Sequence, residues 1–371
     1  MNFDFTDDQK MLKETASSFL QEHAPLAHCR AILESDESYS ARLWKQIAEL
    51  GWQGTTIPEE YGGAGFGRLE LAMLAEEVGR ALAPIPFASS VYLATEALLL
   101  AGSDAQKKRW LPKLASGDAI GAFALAERPG QNGYGGVTAS LAGDAVSGVK
   151  VPVVDGDIAD FVVVAATAGE GPTLALVELP NPGATVTRLE SFDPSRSMAR
   201  IELTGAPAER LGAPGEGRVL VERLLDRAAV LLAFEQVGAA TRALEITKQY
   251  TLERFAFGRP IGSFQAVKHC LADRWCDIEI GRSNCYYGAW ALEHDAPELG
   301  AAACLSRIGA SEALDRMATD MIQLHGGVGF TWEFDCHLFY RRAKLLSTML
   351  GTTASWKHKL VERVSASEEA A

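Results

Sequence analysis

The stretch Thr251–Gln265, TLERFAFGRPIGSFQ, closes a long, mostly apolar run and breaks it abruptly. The run itself, VERLLDRAAVLLAFEQVGAATRALEITKQYTLERF (221–255), reads as one helix of nearly ten turns at about 3.6 residues per turn. Gly258, Pro260 and Gly262 then fall within five residues, the punctuation of a helix end. Breakers account for the stop. They leave Arg254, Phe257 and Gln265 unexplained. A cation, an aromatic ring and an amide around one turn suit a large anionic, partly aromatic ligand. An Arg at a helix end also offsets the helix dipole, so both readings of Arg254 are open.

Outward from this point, one helix is expected after Gln265 and another over 299–324. The first 118 residues also read as helical. Thr6 can cap a helix starting at Asp7. ARLWKQIAELG (41–51) spaces Leu43, Ile47 and Leu50 helically and ends in Gly51. IPEEYGGAGFG (57–67) is a loop by its Pro and glycines, and LELAMLAEEVGRALA (69–83) is an amphipathic helix. ATEALLLAG and AQKKRWLPKLASG continue in that style. Composition changes near Gly117 and Asp118. FVVVAAT (161–167), TLALVEL (173–179), ATVTRLE (184–190) and ARIELTG (199–205) are short β-branched runs. Turn clusters such as DGD (155–157) and NPG (181–183) separate them, which predicts a small all-β barrel or sandwich. The domain limits expected are 1–118, 119–215 and 216–371, in the order helices, strands, helices, with the tail SASEEAA fraying.

Composition narrows the classes. The chain has 371 residues, too many for one ordinary core. Lys plus Arg total 35 against 48 Asp plus Glu, a net charge of −13, which argues against general nucleic-acid binding. The six cysteines include no CxxC pair, which predicts reduced thiols and no metal site. MNFDFTDDQK lacks the basic and apolar regions of a signal peptide. No apolar stretch approaches the roughly 20 residues of a membrane helix. A soluble cytoplasmic protein is expected.

Three segments carry a family resemblance: ELGWQGTTIPEEYGGAGFG, ERFAFGRPIGSFQAVKHCLAD and IQLHGGVGFTWEFDCHLFYRRAK. With these, in this order, the chain resembles an acyl-CoA dehydrogenase over nearly its whole length. The resemblance implies an α+β fold of N-terminal helical domain, central β-barrel and C-terminal four-helix bundle. It implies FAD, an acyl-CoA substrate, an electron-transfer flavoprotein as electron acceptor, and a homotetramer or a related oligomer. In that family the Arg matching Arg254 binds the FAD pyrophosphate across a subunit interface, and Phe257 and Gln265 match further cofactor contacts. Gln323, Leu324, Gly326 and Gly327 match a second segment lining the dinucleotide. A guanidinium gives planar, charge-assisted donors to phosphate, and glycines admit close backbone approach.

The family abstracts an α-proton with a Glu at one of two places. Here those places hold Leu350, before Gly351 and Thr352, and Ala228. Glu235 is the candidate base that remains, seven residues beyond Ala228 and nearly on the same helix face. Leu231, Leu232, Gly238 and Ala239, its helical neighbours, cannot pair with it. A carboxylate among apolar groups is a stronger base than one in water. The alternative is that Glu235 faces solvent or makes a structural hydrogen bond. The flavin-side motifs also depart from the family. FALAERPGQNGYGG (123–136) has Ala126 where a Thr bonds the flavin, and KVPVVDG (150–156) has Pro152 in place of a stacking Trp and Val154 in place of a Thr. Backbone donors near Leu125 and Ala126 could still serve.

Some bacterial relatives acting on steroid side-chain CoA thioesters resemble α2β2 assemblies in which one subunit carries the base. The chain is similar to these in its RRAK and FTWEFDCHL stretches. Three readings therefore stand: a self-sufficient FAD-dependent dehydrogenase, a non-catalytic partner subunit, or a flavin oxidase or monooxygenase on the same fold. Among other residues, His325 reads as structural, Glu59 and Glu60 as a solvated loop edge, and Lys107–Arg109 as an exposed face or a CoA phosphate contact. Trp332 and Phe334 read as core packing, or as cover for an adenine or acyl pocket.

Overall fold

A computed structural model of the chain describes residues 6–131 and 133–369. The N-terminal helices are α1 (Asp7–His23), α2 (Leu26–Leu33), α3 (Ala41–Glu49), α4 (Arg68–Arg80), α5 (Glu96–Ala101) and α6 (Asp104–Ala115). Thr6 caps α1 as expected, and Gln9 returns the bond to complete a capping box. Ahead of α5, Ala88–Thr95 is π-helical and wholly buried. The strands follow: β1 (Gly121–Ala124), β2 (Ser140–Ala142), β3 (Ala145–Val154), β4 (Phe161–Ala168), β5 (Gly171–Glu178), β6 (Ala184–Leu189), β7 (Met198–Pro207) and β8 (Glu209–Leu211). The long helix α7 runs Gly217–Glu253, then the short strands β9 (Phe255–Ala256) and β10 (Arg259–Pro260) lead to α8 (Gln265–Glu293), α9 (Leu299–His325), α10 (Cys336–Thr348) and α11 (Thr353–Glu369). The backbone of SASEE belongs to α11, so the expected fraying tail is helix as far as Glu369. No helix of the described residues is long and apolar enough to cross a membrane.

By internal contacts the backbone divides into two compact units. One takes Ala31–Leu71 and Pro84–Ala228. All four β-branched runs of the sequence are strands here. They join one eight-stranded sheet in the order β6-β7-β3-β2-β4-β5-β8, with β1 added parallel to β4. One core draws Val146, Val153, Val162, Val164, Val177, Ile201 and Leu203 together from neighbouring strands. Where a small barrel or sandwich was expected, the strands form a single sheet, with β6 and β8 ending its path of paired strands. The other face of β4 is also covered, where Phe161 meets Trp110 at 4.5 Å, and this explains a strand apolar at nearly every position.

Asp155 is a fully buried carboxyl of this unit. Asp155 accepts from Ser89 Oγ (2.5 Å) and Ser197 Oγ (3.5 Å), which ties the π-helical turn to the sheet. Burial pushes its carboxyl up to about 6, against the pull of Arg196. An aspartate raised above its ordinary value of about 3.9 gives the fold stability below that value, lost as pH rises through about 6. Asp155→Asn removes this titration. The variant is expected to gain on the parent between about pH 4 and pH 7, by up to about 3 kcal/mol, in urea unfolding followed against pH. A gap that does not change with pH would assign the loss elsewhere.

The second unit comprises residues up to Arg30, Ala72–Ala83 and the chain from Ala229. In it α8, α10 and α11 each pack on α9, and α4 crosses α7 at two glycines. A Cβ on Gly79 would lie 1.9 Å from the Glu235 carbonyl oxygen, and one on Gly238 would lie 1.9 Å from that of Glu76. Glu76 is buried beside the crossing, where Lys13 Nζ donates to it at 2.5 Å and Arg282 donates from α8.

Candidate functional site

The Thr251–Gln265 stretch is more than a helix stop. Helix α7 ends at Glu253, and Arg254 N still donates to Tyr250 O at 2.8 Å. The chain then turns back as a two-residue hairpin, with Ala256 opposite Arg259. Phe257 (φ 54°) and Gly258 (φ 78°) form the turn, both left-handed as a tight hairpin requires. Gly258 therefore serves the hairpin and does not cap the helix. Phe257 is 92% exposed and meets Phe264 edge-on at 6.3 Å. Arg259 lies 4.0 Å over the Phe264 ring. Sequence reasoning missed this second cation; its signal was the Gly-Arg-Pro that follows the turn.

Arg254 is exposed, and its guanidinium has no ion pair or hydrogen bond among the described residues. Gln265 is also exposed and begins α8, a 29-residue helix whose N-cap, Phe264, offers no side-chain acceptor. The positive end of α8 is thus open.

The second segment lies at the end of α9, in the same unit. Gly326 holds φ 63° and ψ −139°, a conformation reserved for glycine. Nothing lies within 4 Å of a Cβ built on Gly326 or Gly327, so the backbone there is open to a ligand. Gln323 is exposed and Leu324 half-buried. One contact joins the two segments: Tyr250, on the last turn of α7, stacks on His325 at 4.1 Å and donates its hydroxyl to His325 O at 3.2 Å. His325 is buried, with Nδ1 2.7 Å from Met321 O, and burial lowers its imidazole below the ordinary value. That is a structural histidine. Tyr250 had no signal in the sequence beyond an aromatic on a helix.

Trp332 and Phe334 are not core residues, being 45% and 38% exposed. Trp332 stacks on His337 at 4.1 Å and lies under Arg341 at 5.4 Å. Arg109, of the Lys107–Arg109 run, is bound by Glu178 (2.9 Å) and Glu209 (2.8 Å) and is not held out for a phosphate.

Glu235 is fully buried on α7, which excludes the solvent-facing alternative. Ala228 is buried on the same helix. Leu350 lies in a turn where Gly351 has φ 101° and Trp356 Nε1 donates to Leu350 O at 3.1 Å.

The departures on the flavin side have a local logic. Glu127 accepts from Lys150 Nζ (2.8 Å) and from the backbone of Thr138 and Ala139, so its carboxyl falls to about 2 despite partial burial. Lys150 is buried and also donates to Leu125 O at 3.2 Å. This clasp closes the 125–139 loop, of which Asn132 lies outside the described residues. Pro152 occupies a bulge of β3, between the pairs Lys150–Ile201 and Val153–Ala199, where a missing N–H leaves no ladder bond unmade.

Family models match both ends of the chain: acyl-CoA dehydrogenase, N-terminal domain, over residues 6–118, and acyl-CoA dehydrogenase, C-terminal domain, over 215–364. Acyl-CoA dehydrogenase IpdE2 of Mycobacterium tuberculosis is 39% identical over 338 residues, 91% of each chain. The chain belongs to the acyl-CoA dehydrogenase family. Among solved structures, a chain of the ChsE4-ChsE5 complex from Mycobacterium tuberculosis aligns with a TM-score of 0.90 and 28% identity, covering 98% of this chain and 99% of that one. A variant of the Tcur3481-Tcur3483 steroid ACAD aligns with a TM-score of 0.88 and 30% identity, covering 98% and 99%. The family is FAD-dependent and oxidises acyl-CoA. An unpaired guanidinium, an open helix start and two uncovered glycines are a donor set that fits its dinucleotide.

Proposed function

We propose that this chain is a cytoplasmic subunit of an FAD-dependent acyl-CoA dehydrogenase. The reaction converts an acyl-CoA thioester to the trans-2-enoyl-CoA, with the electrons passed to an electron-transfer flavoprotein. The observation that carries the reading is the open cradle of Arg254, Gln265, Gly326 and Gly327 on a member of this family. Arg254 holds the FAD diphosphate by charge-assisted bonds, and Gln265 adds an amide donor beside the positive end of α8. Phe257 covers the cofactor with its exposed ring, and Gln323, Leu324 and the glycine pair line it. When bound, FAD supplies the acceptor for the hydride that leaves the β-carbon. Domain limits of 1–118, 119–215 and 216–371 go with this reading, as does a lipid or steroid acyl chain, which the likeness to the Tcur3481-Tcur3483 steroid ACAD supports.

The α-proton needs a base in this assembly. Glu235 is the carboxylate of this chain assigned to it, taking the proton on a carboxylate oxygen. Its complete burial favours a second reading, in which a paralogous subunit carries the base and this chain supplies half of an FAD interface. The ChsE4-ChsE5 relative is itself a complex of two differently named chains. An α2β2 assembly suits that reading and a homotetramer the first.

Glu235→Gln separates the two. Under the first reading the variant keeps FAD and loses exchange of the α-proton of a bound acyl-CoA with deuterated water, by about a hundred- to ten-thousandfold, the contribution of a general base. Exchange at the parent rate in the variant removes Glu235 as base. Flavin content and mass in solution test the cofactor separately: one FAD per chain in a tetramer supports self-sufficiency, and a colourless, smaller species supports the partner subunit.

A further inference from the structure

Arg307 is a buried cation without a counter-ion. It lies on α9 at 1% exposure, and no carboxylate of the described residues reaches it. Its partners are neutral: Nη1 donates to Gln236 Oε1 and to Ser311 Oγ (2.9 Å), and Nη2 donates to Leu346 O. Its Nε finds no partner at all. Burial alone draws the guanidinium down to about 9, so the surroundings penalise its charge. An apolar side chain of like volume would serve bundle stability as well or better, since a buried charge without a partner charge is costly. Stability therefore gives no reason for an Arg here.

The partners do give one. Gln236 follows Glu235 on α7 and also donates to Ser311 Oγ at 3.1 Å. Leu346 O is among the last carbonyls of α10, which no helical N–H satisfies. Directly beyond it runs the Met349–Thr352 turn, closed by Trp356 on Leu350 O and by a bridge between Met349 and Gly351. One guanidinium thus ties the α7 turn bearing Glu235 to the end of α10 and the turn after it. The first carries Glu235, and the second holds Leu350, which matches one of the two places where the family carries its Glu.

We propose that Arg307 is a positioning residue, which sets the α7 turn at Glu235–Gln236 and the Leu350–Thr352 turn in register with each other. The catalytic purpose rests on the proposed function above; the geometric claim does not. A planar fork with several donors can reach two helices at once, where a single point charge cannot.

The test compares Arg307→Met and Arg307→Lys with the parent, in the full-length protein, by thermal unfolding and by amide hydrogen exchange. In Arg307→Met the peptide spanning 346–353 is expected to exchange at least tenfold faster. The melting temperature is expected to stay or rise, because a buried charge has gone. Arg307→Lys is expected to restore part of the protection. Parent-like exchange over 346–353 in Arg307→Met would overturn the proposal. So would a variant that fails to fold, or that loses protection uniformly with a lower melting temperature, for Arg307 would then hold the bundle together and nothing more local. Neither readout needs flavin or substrate, so failure here and failure of the FAD cradle are separate results.

Discussion

Replacing Arg254 with alanine is expected to strip FAD from the protein without unfolding it. Arg254 is exposed and its guanidinium makes no ion pair or hydrogen bond among the described residues, so the fold loses little when the side chain goes. For the cofactor the loss is large. A guanidinium facing a diphosphate makes charge-assisted bonds worth about 1.5–3 kcal/mol each, so two of them carry a hundredfold or more in affinity, about 3 kcal/mol at the least. Titration of the apoprotein with FAD, followed by quenching of flavin fluorescence, reads this directly. Arg254→Lys keeps the charge but not the fork, and a partial recovery is expected. Unchanged flavin content in Arg254→Ala would remove the hairpin from the cofactor site and leave Arg254 as a cation at a helix end. A drop in melting temperature equal to that of a core variant would also count against the assignment, because Arg254 would then be supporting the fold.

Gly238→Ala and Gly79→Ala are expected to have the largest effect on stability. Each added Cβ would meet a carbonyl oxygen at 1.9 Å, that of Glu76 in one case and of Glu235 in the other. Backbone cannot swing aside as a side chain does, so α4 and α7 must move apart along their whole contact. Overpacking in a rigid core commonly costs about 1–3 kcal/mol, and a backbone clash belongs at the upper end or beyond. Higher intrinsic helix propensity returns only about 1 kcal/mol of this. Both variants are expected to lose most of their soluble yield, or to unfold at clearly lower urea concentration than the parent. Parent-like unfolding of both would mean that the two helices are not in close contact at this crossing. The separation between Glu235 and its surroundings would then need redrawing as well, because Gly79 abuts its backbone.

Local signals made much of this protein legible in one dimension. Thr6 with Gln9, the four β-branched runs and the unbroken 221–255 stretch specify their elements by capping, by period and by side-chain branching, which act over a few residues. Even so, the AFGRPIG punctuation (256–262) meant a hairpin and not a helix cap. The choice depended on Phe257 and Gly258 both taking left-handed backbone, which composition does not reveal.

What the sequence determined by itself is therefore the family, the order of helices and strands, and the residue types of the cradle. Those rest on motifs whose members lie close along the chain. What only the tertiary structure decided are the pairings between distant segments. Tyr250 stacks on His325, Lys150 clasps Glu127, Gly79 admits Glu235, and Arg307 reaches both Gln236 and Leu346. The fate of Glu235 belongs with these. The spacing along its own helix leaves its burial open; the structure buries it completely, on a helix whose backbone there is met by Gly79 of α4, from more than 150 residues earlier in the chain. Burial is a property of what packs across a residue, and sequence spacing along one helix carries no record of it.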